Sequence, residues 1–378
     1  MLESIRRRGP VSRAQLSRDT GLSKPTVSQA LVALEGAALV REAGRSSGGK
    51  GPTALLYELN PSAGWVVGLD VGRDLVRAAI ADLNGHIVAR RDEPARVRSA
   101  ATLISQVGET AHRLAADAGI RWRQVTFATV GSPGVFEADR DQVALAHNLP
   151  GWSRHGLLEA LRDELGTDLA FENDVNLAAL GEAWHGLGRD VRDFVYLHVG
   201  TGVGMGLVLN GELYRGTRGA AGEVGYLPLA TADPHDPANR RRGALENALG
   251  AAAVVRQARS AGMSVRTSKG LFDAARRGND QALAVVALVA ERIALAIGAV
   301  APVVDPELVI LGGSIGRNGD LLLDAVQREL AALSPFRPRI EVSSLGEEAE
   351  LHGAVSMGLE AARERLFSRT ESIGSVTA

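Results

Sequence analysis

From Trp65 onward short apolar runs alternate with glycine turns. WVVGLDVG (65–72), LVRAAIADL (75–83) and HIVARR (86–91) predict three strands, the last two joined by an Asn84-Gly85 turn. The same design recurs at DFVYLHVG (193–200), TGVGMGLVL (201–209) and ELYRG (212–216), with Asn210-Gly211 at the turn. Two glycine-turned hairpins, each followed by alternating helices and strands, predict two similar α/β lobes. Helices are expected at 101–118, 157–165, 244–261 and 281–300. Strands are expected at 125–130, 169–172, 308–311 and 339–342, and a closing helix from Glu350. The tail beyond Phe367 is small and polar, and is expected to fray.

The first sixty residues follow another pattern. Ser12 is a good N-cap for a short helix with Ala14 and Leu16 inward, which Gly21 ends. Ser23 caps a second helix with Pro25 in its first turn. Val27, Ala30, Leu31 and Leu34 make one apolar face of that helix, leaving Lys24, Thr26, Ser28 and Gln29 on the other. Helix, glycine turn and helix, with polar residues at the start of the second, is the pattern of a helix-turn-helix reader. An ordinary surface hairpin has the same outline. The Gly/Ser-rich stretch 43–52, with Arg45 and Lys50, followed by a possible strand at 53–59, suits a wing as well as a linker. The predicted DNA contacts are Ser23, Lys24, Thr26, Ser28, Gln29, Arg45 and Lys50.

Charge sharpens this reading. The whole chain is net −2. Residues 1–50 hold nine basic and four acidic side chains, net +5, which leaves −7 for the rest. A basic head on an acidic body is expected where one end meets phosphate. A length of 378 residues implies two or three compact units. No apolar run approaches the roughly 20 residues of a membrane span, and no secretory leader is recognisable. The absence of cysteine excludes disulfides and thiolate metal sites, and fits the cytoplasm.

Glycine lets backbone N–H groups approach an anion, so the runs at Gly200–Gly204 and Gly312-Gly313 suit phosphates, or simply tight turns. Six ordered segments carry a more specific signal: HNLPGW (147–152), FENDVNLAALGE (171–182), HVGTGVGMGL (198–207), GEVGY (222–226), GALE (243–246) and VILGGSIG (309–316). Together they resemble the successive motifs of the ROK family (repressors, open reading frames and sugar kinases). The head resembles that of the family's repressor branch. The resemblance implies an N-terminal winged helix-turn-helix (1–60) followed by a two-lobed, actin-like (ribonuclease H-like) sugar-kinase fold (61–378). Its lobes are expected at about 61–180 with the C-terminal helix, and at 181–350. It also implies a homodimer or homotetramer whose sugar or sugar-phosphate effector lies between the lobes.

Carried over residue by residue, the implied sugar ligands are Asn148, Asn173, Asp174, Glu223 and Glu246. Carboxylates accept from sugar hydroxyls, and amides both donate and accept. Asp174 matches the kinases' catalytic base. Tyr226 stands where the enzymes carry a histidine that often binds zinc, and it could donate to or stack on the sugar. The three cysteines of the family's zinc loop are gone, and Asp233, His235 and Asp236 are too few to replace them. Arg240, Arg241 and Arg242 either order that loop by ion pairing or form a solvated charged loop.

The implied nucleotide residues are Asp70, Gly72, Gly200, Thr201, Gly202, Gly204, Gly312 and Gly313. The first phosphate loop is altered, however: Arg73-Asp74 replaces glycine and threonine. At an effective dielectric near 20, Asp74 about 4 Å from a phosphate charge would cost roughly 4 kcal/mol, or about a thousandfold in affinity. A sugar-responsive regulator of operator DNA, without a catalytic role, is therefore favoured. A sugar kinase with an appended head is the alternative.

Overall fold

Ser12 and Ser23 do start the two helices. In the computed structural model the Ser12 hydroxyl accepts from Gln15 N and the Ser23 hydroxyl from Thr26 N, satisfying donors that a helix start leaves over. The structure describes residues 1–46, 53–137, 140, 142–146, 149–230, 233 and 235–374. Its N-terminal elements are α1 (Leu2–Arg8), β1 (Val11–Ser12), α2 (Arg13–Thr20), α3 (Lys24–Gly36), β2 (Val40–Arg45) and β3 (Leu55–Leu59). Gly21, at φ 71°, ends α2. The strands pair antiparallel in the order β1-β3-β2. Ile5, Leu16, Val27, Leu31 and Tyr57 are fully buried among these elements. Two details differ from expectation. Ala14 is exposed, so Leu16 alone turns inward from α2. The sequence pattern also did not reveal α1, because Leu2 and Ile5 are too few to show a period. Lys50 and the loop at 47–52 lie outside the described residues.

Two compact units make up the chain. The first comprises Met1–Val130, Glu159–Ala170 and the chain from Val355; the second comprises Gly131–Leu158 and Phe171–Ala354. The elements after the head are β4 (Trp65–Val71), β5 (Leu75–Asp82), β6 (Ile87–Pro94), α4 (Ala100–Asp117) and β7 (Val125–Ser132). A short ribbon follows, β8 (Val135–Glu137) with β9 (Gln142–Ala144), then α5 (Leu157–Leu165), β10 (Leu169–Asn173) and α6 (Asp174–His185). Five of these strands form a sheet in the order β10-β7-β4-β5-β6.

The second unit continues with β11 (Phe194–Val199), β12 (Val203–Leu209), β13 (Glu212–Leu213), α7 (Pro237–Arg242), α8 (Ala244–Leu249), α9 (Ala251–Ser260) and α10 (Ser268–Arg276). Next come α11 (Asp280–Val304), β14 (Leu308–Gly312), α12 (Gly313–Gly316), α13 (Gly319–Leu333), β15 (Arg339–Val342) and α14 (Ala349–Gly374). Its sheet, β13-β12-β11-β14-β15, repeats the strand order of the first, with antiparallel hairpin strands on one side and later strands added beside the opening strand. Alternation along β11 sends Val195, Leu197 and Val199 into the core beneath α8 to α13, and Phe194 and Tyr196 towards α6.

Two expectations needed correction here, and one helix needs comment. The helix expected over 244–261 is two, broken at Gly250. The backbone there is extended, and a Cβ would lie 2.9 Å from Glu246 O and 3.1 Å from Thr201 O. Helix α11 is in fact 25 residues long and apolar enough to cross a membrane by length and composition. It contains the helix expected at 281–300, and the charged pair Glu291-Arg292 interrupts its apolar run. In this structure it is a core helix, with Val289, Ile293 and Ile297 buried. Finally, α14 continues helical past Phe367 to Gly374.

Candidate functional site

The site in the second unit is built on the glycines of β12. An added Cβ at Gly206 would meet Ala179 Cβ at 2.6 Å and Val175 O at 2.8 Å, and at Gly204 would meet Val175 Cγ2 at 3.1 Å. Only glycine lets α6 lie this close, and its N-terminus is thereby set beside the Gly200–Gly204 turn. Asn173 caps α6: its Oδ1 accepts from Val175 N (2.9 Å) and Asn176 N (3.2 Å), while its Nδ2 donates to Gly134 O (3.0 Å). The cap is therefore Asn173, and Asp174 is already the first helical residue. Asp174 is half-buried and accepts from Val175 N at 2.9 Å.

Behind this turn lies Glu172, a buried carboxylate to which the sequence reading assigned no role. Its Oε1 accepts from Asn173 N (2.8 Å) and Asn176 Nδ2 (2.9 Å), and its Oε2 from Arg215 Nε (2.6 Å). A charge so enclosed is stable only with such partners, and together they lock the entry to α6. The signal lay in FEND itself, where a glutamate in a buried strand end demands a cation.

GEVGY runs along the edge of β12. Met205 N donates to Gly222 O at 2.8 Å, and Gly222 has φ +91° with no space for a Cβ, which would lie 1.8 Å from Met205 O. Gly243, at φ +87°, leaves only 2.1 Å from a Cβ to Gly225 O. These backbone contacts bring Glu223, Tyr226 and Glu246 into one electrostatic group. Burial first, then repulsion from Glu246, raises the Glu223 carboxyl to about 7. Burial, Glu223 and Glu246 also push the Tyr226 phenol up. Glu246 Oε2 accepts from Val203 N at 3.2 Å, which ties the group to the glycine turn. The Tyr226 hydroxyl donates to Arg241 O at 3.4 Å. Asn148 lies outside the described residues, but its motif is anchored by Trp152, whose Nε1 donates to Ser132 Oγ at 2.7 Å.

Hydrogen bonds hold the segment that corresponds to the zinc loop. Asp236 caps α7 through Ala238 N, and Asn247 Nδ2 donates to Ala238 O and Asn239 Oδ1. Asp233 Oδ1 accepts from His235 N, so the acids nearby serve local turns. Arg240, Arg241 and Arg242 belong to the helix α7, not to a loop, and none has a carboxylate partner among the described residues. Ion pairing by these arginines is thus not what orders the segment, and no group of side chains among the described residues could hold a metal ion.

His198 borders both phosphate-type turns of this unit. Its Nε2 lies 2.6 Å from where a Cβ would stand at Gly200 and 3.0 Å from one at Gly313. Burial lowers its pKa to about 4, so a neutral imidazole faces the turns at pH 7. In the first unit, Asp70 Oδ2 is paired with Arg77 at 3.0 Å, and burial nonetheless raises its pKa. Gly72 N donates to Leu75 O at 2.9 Å, closing a tight hairpin with Arg73 and Asp74 exposed at its tip. On the head, Lys24, Thr26 and Gln29 are exposed along α3, Ser28 is half-buried, and Arg45 is exposed at the end of β2. Ser23 is engaged as the helix cap.

The ROK family profile matches residues 66–361. The chain belongs to the ROK family. A xylose repressor of Caldicellulosiruptor bescii is 27% identical over 368 residues, 92% of this chain and 91% of that protein. A glucokinase of Halalkalibacterium halodurans is 28% identical over 312 residues, 76% of this chain and 93% of the enzyme. A crystal structure described as a ROK family transcriptional regulator, homologous to the E. coli MLC protein, superposes with TM-score 0.81 at 19% identity. It covers 98% of this chain and 96% of its own. The body of this ROK protein accordingly has the family's mixed α/β, actin-like sugar-kinase fold.

Proposed function

We propose that this ROK protein is a sugar-responsive, cytoplasmic transcription regulator. In this reading residues 1–60 form a winged helix-turn-helix in which α3 enters the major groove of an operator and Arg45 and Lys50 contact phosphate. The body, residues 61–378, binds a small sugar or sugar phosphate through Asn148, Asn173, Asp174, Glu223, Tyr226 and Glu246. The sugar alters operator affinity within a homodimer or homotetramer. The observation that carries the reading is the head itself: a Ser23-capped helix with an exposed polar face, packed on a three-stranded sheet. Similarity to a protein named as a xylose repressor along 92% of the chain supports it and puts xylose first among sugars to test.

A sugar kinase is the second reading, favoured by the Gly200–Gly204 turn, by Asp174 and by the glucokinase similarity. Against it weigh Asp70 tied to Arg77, Asp74 at the hairpin tip, and the uncharged His198. The test is an operator titration with and without each sugar of a pentose and hexose panel, alongside an ADP-release assay. Wild type is expected to change operator affinity with one sugar and to release no ADP. Asp174→Ala should bind operator as wild type does but lose the sugar response. A sugar response preserved in Asp174→Ala, or sugar-dependent ADP release at kinase rates, would overturn the reading.

A further inference from the structure

The outward face of α3 is unusual for a solvent-exposed helix. Residues 25, 29, 32 and 36 follow helical spacing, opposite the buried Val27, Leu31 and Leu34. That strip reads Pro25, Gln29, Val32 and Gly36, with Ser28 and Ala33 at its margins, and no charged residue stands on it. Val32 is 65% exposed in its middle. A branched apolar side chain flanked by small residues and one amide matches the major-groove edge of a base pair, where thymine presents a methyl group and adenine a donor–acceptor pair.

Charge argues for DNA as the occupant. Residues 1–50 are net +5, and Lys24 and Arg45 have no carboxylate partner among the described residues. These cations thus stand at the start of the helix that carries the uncharged strip and at the end of β2. A duplex offers phosphates on either side of its base edges to meet such charges. A second copy of this chain would bring the same positive charge against itself.

We propose that Val32 is a specificity-determining residue that packs on the 5-methyl group of a thymine in the operator, one helical turn beyond the base read by Gln29. The proposal rests on the reading of the head as a DNA reader. It also explains the small side chains at 33 and 36, which let the helix sit close to the groove floor.

The experiment selects sites from a randomised duplex library with the full-length protein, then replaces each thymine of the selected site by uracil, which removes only the methyl group. At one thymine per half-site this should weaken wild-type binding about fourfold, the worth of one buried methyl group. In Val32→Ala the same uracil substitution should have little further effect, and sites selected by that variant should no longer favour thymine there. Val32 is exposed, so the variant should keep the wild-type melting temperature and sedimentation coefficient. Enrichment of a site that is insensitive to uracil, or an undiminished uracil penalty in Val32→Ala, would overturn the role of Val32 alone. A Val32→Ser variant with an altered oligomeric state would show that the strip packs on a second copy, and would overturn it too. Failure to enrich any sequence would overturn the reading of the head, and this inference with it.

Discussion

Glu223 is close to half protonated at neutral pH, because burial and the neighbouring Glu246 raise its carboxyl to about 7. In that state it can donate to a sugar hydroxyl as well as accept from one, which a fully ionised pair could not do. The shift has a consequence for stability. A carboxyl whose pKa is raised on folding holds its proton more tightly folded than unfolded. Stability therefore falls as pH climbs from the ordinary glutamate value, near 4.5, to about 7, and levels off above it. The loss amounts to at most about 3 kcal/mol across that window. Glu223→Gln should remove this slope and should be the more stable protein at pH 7.5. Urea denaturation at pH 5 and pH 7.5 checks it, and parallel losses in both proteins would acquit Glu223. Other single residues act by position: Glu172 receives three hydrogen bonds and serves the geometry of Asn173 and Asp174.

Backbone approach decides the site at the level of elements. Gly181 and Gly353 face each other's helix: a Cβ at Gly181 would lie 2.1 Å from Ala349 O, and one at Gly353 1.8 Å from Leu177 O. Helix α6 is thus held between the start of α14 and the glycines of β12, which leaves its N-terminus little freedom. Gly243 does the same for α8, since it turns the chain at φ +87° with Gly225 O against it. Gly243→Ala should cost at least about 2 kcal/mol, combining left-handed strain with the clash. It should also lower sugar affinity, because Glu246 follows three residues later. Denaturant titration and calorimetric sugar binding measure the two effects. A variant with unchanged stability would mean that the segment has room to shift.

The charge division dominates at the scale of the whole molecule. Residues 1–50 at +5 and the remainder at −7 direct phosphate to one end of the chain. Operator binding should therefore weaken steeply with salt. Arg45→Ala, at the edge of the proposed wing, should lower affinity for all sequences alike and reduce the salt slope by about one. Gln29→Ala should instead alter sequence preference, by about 1–3 kcal/mol at one base pair. Titrations of selected and scrambled duplexes at several salt concentrations separate the two. A loss of sequence preference in Arg45→Ala would reverse the roles assigned here.

Local rules were enough for much of this. Serine caps at 12 and 23, the Asn-Gly turns and the period-two strands marked most elements within a few residues, since each is set by neighbours in sequence. The ordered motifs carried the family. What the sequence left open depended on contacts between distant segments. Gly250 breaks α8 from α9 because Thr201 stands over it, and Glu172 has a partner because β13 brings Arg215 to it. Asn247 and Asp236, far more than the arginines, hold the segment that lost its cysteines. The titration of Glu223 and His198 likewise belongs to the fold, because desolvation depends on what covers a group and not on its sequence neighbours.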